Sequence, residues 1–230
     1  MIECRKLQIL NQKERLVDIQ FKLRDSLAIV GESGSGKSLT LKSLIGMLPS
    51  NLSLEIEIDA EFELKRGKTV AFIPQNPFTA LSPMTKISKQ WFGTIKRAEE
   101  LFEMLNLEWS LFKRYPPELS GGQLQRVIFA MALESEPKLI LLDEPTTALD
   151  PNLRDEIAKN LVELQSEFGF LMIFVTHDIN LASKICRDIL VLKDGKVVQS
   201  GEAKEVLTNP KDSYTKSLIE ANFATREFRK

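Results

Sequence analysis

Hydrophobic and polar positions divide this chain into segments of two periods. Val17, Ile19, Phe21 and Leu23 alternate with polar residues, the two-residue period of a half-exposed strand. SLAIV at residues 26–30 is a short apolar strand that runs straight into a glycine-rich stretch, and residues 38–48 then read as a helix closed by Pro49. From Leu52 to Leu64, apolar residues alternate with Ser53, Glu55, Glu57, Asp59, Glu61 and Glu63. Five carboxylates on one face could suggest a cation site, but a solvated face of an antiparallel strand accounts for them better, with a turn breaking the run somewhere. Residues 69–75, TVAFIPQ, predict another core strand. Ile87, Trp91, Ile95, Ala98, Phe102 and Leu105 then recur at helical spacing, and Pro116 and Pro117 close the segment. This predicts a small helical subdomain over 76–118, with Trp91 and Trp109 as packing residues.

The continuous apolar run KLILLDEP at 138–145 ends in Asp143 and Glu144. A helix over about 152–168 follows, carrying Leu153, Ile157, Leu161 and Leu164 on one face. FLMIFVTH at 170–177 is the next buried strand. Residues 189–192 and 197–199 flank the turn Lys193-Asp194-Gly195 as a hairpin, and two short helices finish the chain. Buried strands alternating with helices define an α/β class with a mainly parallel sheet, an antiparallel β subdomain and the helical insertion. The expected organisation is a single domain over 1–230, with its core in 1–75 and 119–230.

Charge and cysteine content narrow the function. A net charge of −1 argues against a protein held on nucleic acid by bulk charge. Cys4 and Cys186 are isolated and read as buried or semi-buried thiols rather than a disulfide framework. MIECRKLQIL at the start lacks the apolar core of a signal peptide. No window approaches the roughly 18–20 uninterrupted apolar residues of a membrane span, so work at a membrane would go through a partner.

The chemistry concentrates in a few stretches. Gly31, Glu32, Ser33, Gly34, Ser35, Gly36, Lys37 and Ser38 fit GxxxxGK[ST] in full, between a predicted strand and a predicted helix. In such a loop, backbone N–H groups curl around phosphate oxygens, the helix adds its positive end, Lys37 reaches the outer phosphates and the Ser38 hydroxyl ligates Mg²⁺. Asp143 suits Mg²⁺, and Glu144 is placed to orient and activate an attacking water. Gln75 and His177, each at the end of a strand, are candidates to touch Mg²⁺ or the γ-phosphate. LSGGQ at 119–123 stands before the helical series Leu124, Val127, Ile128 and Met131, a second helix start suited to an anion. The same chain's phosphates are already surrounded. The second start therefore makes sense facing a nucleotide held by another copy, with two ATP molecules at a two-fold or pseudo-two-fold interface.

Together these motifs resemble the nucleotide-binding subunit of an ABC (ATP-binding cassette) transporter. They are the Walker A loop GESGSGKS, the Q-loop IPQNP, the signature LSGGQ, the Walker B strand LILLDEP, the D-loop TALD and the switch histidine of VTHD, in the family's order. The resemblance implies a P-loop NTPase core that uses ATP and Mg²⁺. Residues Gly31 to Ser38 with Leu39 would hold the nucleotide, and Ser38, Gln75 and Asp143 the metal. Glu144 would be the catalytic base, with His177 and Gln75 sensing the γ-phosphate. Ser120, Gly121, Gly122 and Gln123 would complete the partner's site, and Asp150 would lie in the loop coupling the two sites. PQNPFTALSP and the C-terminal GKVVQSGEAKEVLTNPKDSYTKSLIEA are similar to the peptide and nickel importer branch. That branch implies a second cassette, identical or related, integral membrane permease subunits, an extracytoplasmic solute-binding protein, and a peripheral position on the cytoplasmic face of the membrane.

Three features depart from the family's pattern. Leu10, Asn11 and Gln12 stand where an aromatic residue usually stacks on adenine. Residues 76–118 are short for the branch's helical subdomain. Pro117 replaces the histidine of YPHELSGG and stiffens the entry to the signature helix. The alternative of a soluble ABC ATPase acting on DNA or ribosomes lacks its coiled-coil insertion, second cassette or basic surface. A nucleotide-binding module without turnover would not need both Glu144 and His177.

Overall fold

The computed structural model describes residues 1–146 and 151–227, with side chains described over 1–146 and 154–221. In chain order the elements are β1 (Ile2–Asn11), β2 (Glu14–Leu23), β3 (Ser26–Val30), α1 (Lys37–Leu44), β4 (Leu52–Ala60), β5 (Val70–Ile73), α2 (Ile87–Gln90), α3 (Ile95–Met104), α4 (Gly121–Leu133), β6 (Leu139–Asp143), α5 (Pro151–Phe168), β7 (Leu171–Thr176), α6 (Ile179–Ile185), β8 (Asp188–Lys193), β9 (Lys196–Glu202), α7 (Ala203–Thr208) and α8 (Ser213–Glu227). They form two compact units, Met1–Leu64 with Leu171–Lys230, and Lys65–Phe170.

In the first unit the strands run in the order β4-β1-β2-β9-β8-β3-β7. β4, β1 and β2 are antiparallel neighbours, which places the alternating apolar residues Leu7, Ile9, Val17 and Ile19 on a buried face. β3 lies between β7 and β8 and pairs with both in parallel. All five of its residues are buried, as an uninterrupted apolar run requires. The acidic face of β4 is exposed and meets cations of β1, Lys6 Nζ to Glu55 at 2.7 Å and Arg5 to Asp59 at 3.3 Å, and just beyond the two strands the Met1 ammonium meets Glu61 at 3.3 Å. Surface pairs of this kind add little stability, and the acidic face is a solvated strand face.

The α1 helix ends at Leu44, four residues before the expected stop. Met47 N–H donates to Lys42 O at 2.8 Å and Gly46 N–H to Ser43 O at 3.3 Å, with Gly46 at φ 66°. This closure caps the helix before Pro49 is reached. The alternating run after it is broken within its length, as expected: the strand ends at Ala60, ahead of Leu64.

In the second unit β5 and β6 pair in parallel, and α4 packs on β5. The apolar series from Ile87 to Leu105 is interrupted: α2 ends before Trp91, whose backbone is extended, and α3 starts at Ile95. Gly93 lies so close to Glu134 that a Cβ there would overlap the carboxylate, and Ile95, two residues on, is 64% exposed. Trp91, Phe102, Trp109 and Phe112 form one aromatic cluster, with Trp109 stacked on Phe112 at 4.4 Å and Phe102 edge-on to the other three at 5.5–6.2 Å. The tryptophans are packing residues, as their spacing suggests.

Candidate functional site

The glycine-rich loop leaves the buried end of β3 and turns into α1. Gly36 precedes that helix at φ 103° with no side-chain cap hydrogen bond, so no cap side chain covers the start of α1. The position demands glycine on two counts: the left-handed φ, and Val17 Cγ2 only 2.7 Å from where a Cβ would stand. Lys37 is 4% exposed, and its ammonium donates to the carbonyls of Gly31 and Glu32, both at 2.8 Å. The loop thus wraps its own lysine. Ser38 and Leu39 follow on the first turn, half-buried, while Glu32, Ser33 and Gly34 are exposed.

His177 lies beside this loop. Val30 pairs with Thr176 in the β3–β7 ladder, so Gly31 and His177 leave adjacent strands at the same edge. The imidazole is exposed, and the residues flanking it are fixed. Asp178 N–H donates to Thr176 Oγ1 at 3.0 Å, and the Asp178 carboxylate accepts from Asn180 N–H and Leu181 N–H at 3.0 and 2.9 Å, capping α6.

The second unit carries the other candidates. Ile73 pairs with Leu142, which sets Gln75 and Asp143 at the same edge of the β5–β6 pair. Gln75 is exposed and Asp143 is 6% exposed. Glu144 follows at φ 45°, a left-handed backbone that a glutamate adopts at a cost. The register thus turns a buried strand end into two neighbouring carboxylates of different exposure, since Glu144 is half-buried.

Ser120 caps α4 reciprocally: its hydroxyl accepts from Gln123 N–H at 3.2 Å, and Gln123 Oε1 accepts from Ser120 N–H at 3.0 Å. Leu119 and Gly122 are buried, and Ser120 is exposed. A Cβ on Gly121 would meet nothing within 4 Å, so packing inside the chain does not explain that glycine. Asp150 lies outside the described residues. The structure therefore brings Gly31–Leu39 to His177 within one unit, and Gln75 to Asp143 and Glu144 within the other, with the capped start of α4 in that second unit.

Sequence reasoning missed the surroundings of the glycine-rich loop. Gly195, in the β8–β9 turn, donates its N–H to Ser35 O at 3.1 Å, and Tyr214 on α8 accepts from Glu32 N–H at 2.9 Å. The Asp-Gly dipeptide signals the turn but not its contact; nothing local marks Tyr214. Burial pushes the Tyr214 phenol above its ordinary pKa, further aided by the nearby carboxylates Glu32 and Asp194, so it stays neutral at physiological pH.

Hard oxygen donors suited to a cation occur in each unit by itself: the Ser38 hydroxyl in the first, and the Asp143 carboxylate and Gln75 side-chain amide in the second. Among the described residues no group of three or more His, Cys, Asp or Glu could hold a metal alone. Ser38, Asp143 and Gln75 each offer the kind of oxygen donor that Mg²⁺ takes alongside phosphates and water.

Residues 15–147 match the model of the family described as ABC transporter. The chain belongs to that family, as one of the ATP-binding cassettes, the ATPases that power transport. Two relatives define the neighbourhood. The metal-staphylopine import system ATP-binding protein CntD of Staphylococcus aureus (strain NCTC 8325 / PS 47) is 35% identical over 88% of this chain and 84% of its own length. The oligopeptide transport ATP-binding protein OppD of Bacillus subtilis (strain 168) is 33% identical over 90% of this chain and 66% of its own length. Among solved structures, the dimeric post-hydrolysis state of the ATP-binding cassette MJ0796 bound to ADP and Pi superposes with a TM-score of 0.70. It is 27% identical and covers 88% of this chain and 99% of the other. The cbiO1 cassette of Clostridium perfringens, part of the ABC transporter complex cbiONQ, gives 0.75 at 26% identity, over 99% of this chain and 96% of that one.

Proposed function

We propose that this cassette hydrolyses ATP to drive solute uptake through a separate membrane permease, with a solute of the peptide or chelated-metal class. The solute class rests on relatives named for metal-staphylopine, oligopeptide and glutathione import. The observation that carries the ATP chemistry is the curled loop around buried Lys37, running directly into the start of α1. There Gly31, Glu32, Ser33, Gly34, Ser35, Gly36, Lys37, Ser38 and Leu39 bind the triphosphate. Ser38, Asp143 and Gln75 would hold Mg²⁺, which when bound neutralises charge on the phosphates. Glu144 takes the proton of the attacking water, and His177 contacts the γ-phosphate.

Ser120, Gly121, Gly122 and Gln123 complete the nucleotide site of a second cassette, and Asp150 belongs to the loop coupling the two. The open space over Gly121 supports this reading, because a backbone with no Cβ lets a phosphate approach the start of α4. The surface for the permease includes Phe92 at 96% exposure and Met84 at 85%, in the segment 76–118. Phe92 also lines a groove of about 560 Å³ with Phe72, Pro74, Ile128 and Met131. No helix of the described residues is long and apolar enough to cross a membrane, so attachment at the cytoplasmic face goes through that permease, and solute arrives from an extracytoplasmic binding protein.

Turnover tests the reading. Glu144→Gln keeps the shape and removes the carboxylate, so phosphate release should fall about 10²–10⁴-fold while ATP still binds. Full turnover in that variant would remove Glu144 from the role of base.

A further inference from the structure

Tyr214 sits on the first turn of α8, far in sequence from the glycine-rich loop, yet its hydroxyl accepts from Glu32 N–H at 2.9 Å. The Glu32 backbone is held on both sides of its α-carbon. Its N–H is held by Tyr214, and its residue carbonyl accepts from both Lys37 Nζ at 2.8 Å and Ser35 N–H at 3.3 Å. The tyrosine is itself fixed. Lys193 Nζ lies 5.0 Å from the centre of its ring. Tyr214 N–H donates to Asp212 Oδ1 at 2.8 Å, and Gln199 Oε1 on β9 accepts from Lys211 N–H and Asp212 N–H at 3.0 and 3.2 Å. The start of α8 is thus fastened to the β8–β9 hairpin, whose Gly195 holds the same loop at Ser35.

We propose that Tyr214 is a positioning residue for nucleotide binding: it anchors the Glu32 peptide and thereby the loop geometry from which Lys37 meets the phosphates. The inference rests on the ATP-binding reading of the Gly31–Ser38 loop. A hydroxyl–amide bond between neutral groups, when lost, should change affinity by about 2- to 10-fold. The phenol is a suitable anchor because it is neutral, its ring is packed under Lys193, and it has few rotamers to freeze.

The test is isothermal titration calorimetry of ATP into the full chain and its Tyr214→Phe variant, which keeps the ring and removes only the hydroxyl. The expected result is a Kd raised about 2- to 10-fold at unchanged stoichiometry, with the Glu32 amide proton shifted upfield in NMR spectra. Tyr214→Leu should bind no better than Tyr214→Phe, since the hydroxyl is the group that matters. A merely structural role would lower the binding-competent fraction or the melting temperature and leave Kd unmoved; that outcome, or an unchanged Glu32 amide, overturns the proposal. If the unsubstituted chain itself binds no ATP, the reading of the loop fails first and the proposal with it.

Discussion

Replacing Gly36 by alanine separates two physical demands at one atom. Gly36 sits at φ 103°, so alanine there carries the left-handed penalty of about 1–2 kcal/mol. Its Cβ would also stand 2.7 Å from Val17 Cγ2, an overlap that a packed interior accommodates at about 1–3 kcal/mol. Together these costs reach about 2–5 kcal/mol, a large share of the roughly 5–15 kcal/mol that holds a typical domain folded. Val17 is 0% exposed, and Val17→Ala alone should cost about 1.5–3 kcal/mol for two lost methyl groups and the cavity left behind. In the double variant the overlap disappears while the backbone penalty stays. Its total loss should therefore fall short of the sum of the singles by about 1–3 kcal/mol. Urea unfolding of the four proteins measures this cycle. Additivity within about 0.5 kcal/mol would refute the packing argument, and a Gly36→Ala protein as stable as the parent would refute both.

Two further outcomes follow from the packing. Phe102 is 1% exposed and edge-on to three rings, so Phe102→Ala should lower stability by about 3–5 kcal/mol in urea unfolding; a loss under about 1 kcal/mol would contradict the cluster. Burial pushes the Cys4 thiol up to about 12, so it should resist iodoacetamide at pH 8 until the chain is unfolded. Because the folded value is raised above the ordinary 9.0, the stabilisation is present below that pH and is lost as pH rises toward 12; Cys4→Ala should show a shallower fall in urea midpoint between pH 9 and 11.

Much of this fold is written locally in the chain. The period-two run Val17–Leu23 and the unbroken run of residues 26–30 each became the strand they describe, because burial on one face or on two leaves that signature. The glycine-rich loop was legible for the same reason, since its backbone needs particular residues at fixed spacing. What escaped depends on distant parts. Pro49 is a conspicuous breaker and suggests a helix through Leu48, whereas the Lys42–Met47 hydrogen bond ends it earlier. The series Ile87–Leu105 keeps a helical period across the break between α2 and α3, where Gly93 runs against Glu134, a residue far along the chain. The helix α6 is only seven residues long, too short for periodicity to show, though Asp178 is a recognisable cap. At the site, residue identities were readable, but the strain at Glu144 and the clasp of Tyr214 on Glu32 belong to the folded backbone.

The most direct test of a nucleotide site completed by Ser120–Gly122 of a second copy is the mass in solution of the Glu144→Gln protein by light scattering, with ATP and Mg²⁺ and without. The account predicts a shift from the 26.1 kDa chain to twice that mass on adding ATP, reversed when nucleotide is removed. A protein that binds ATP by calorimetry yet stays at 26.1 kDa would contradict a site shared between copies of this chain.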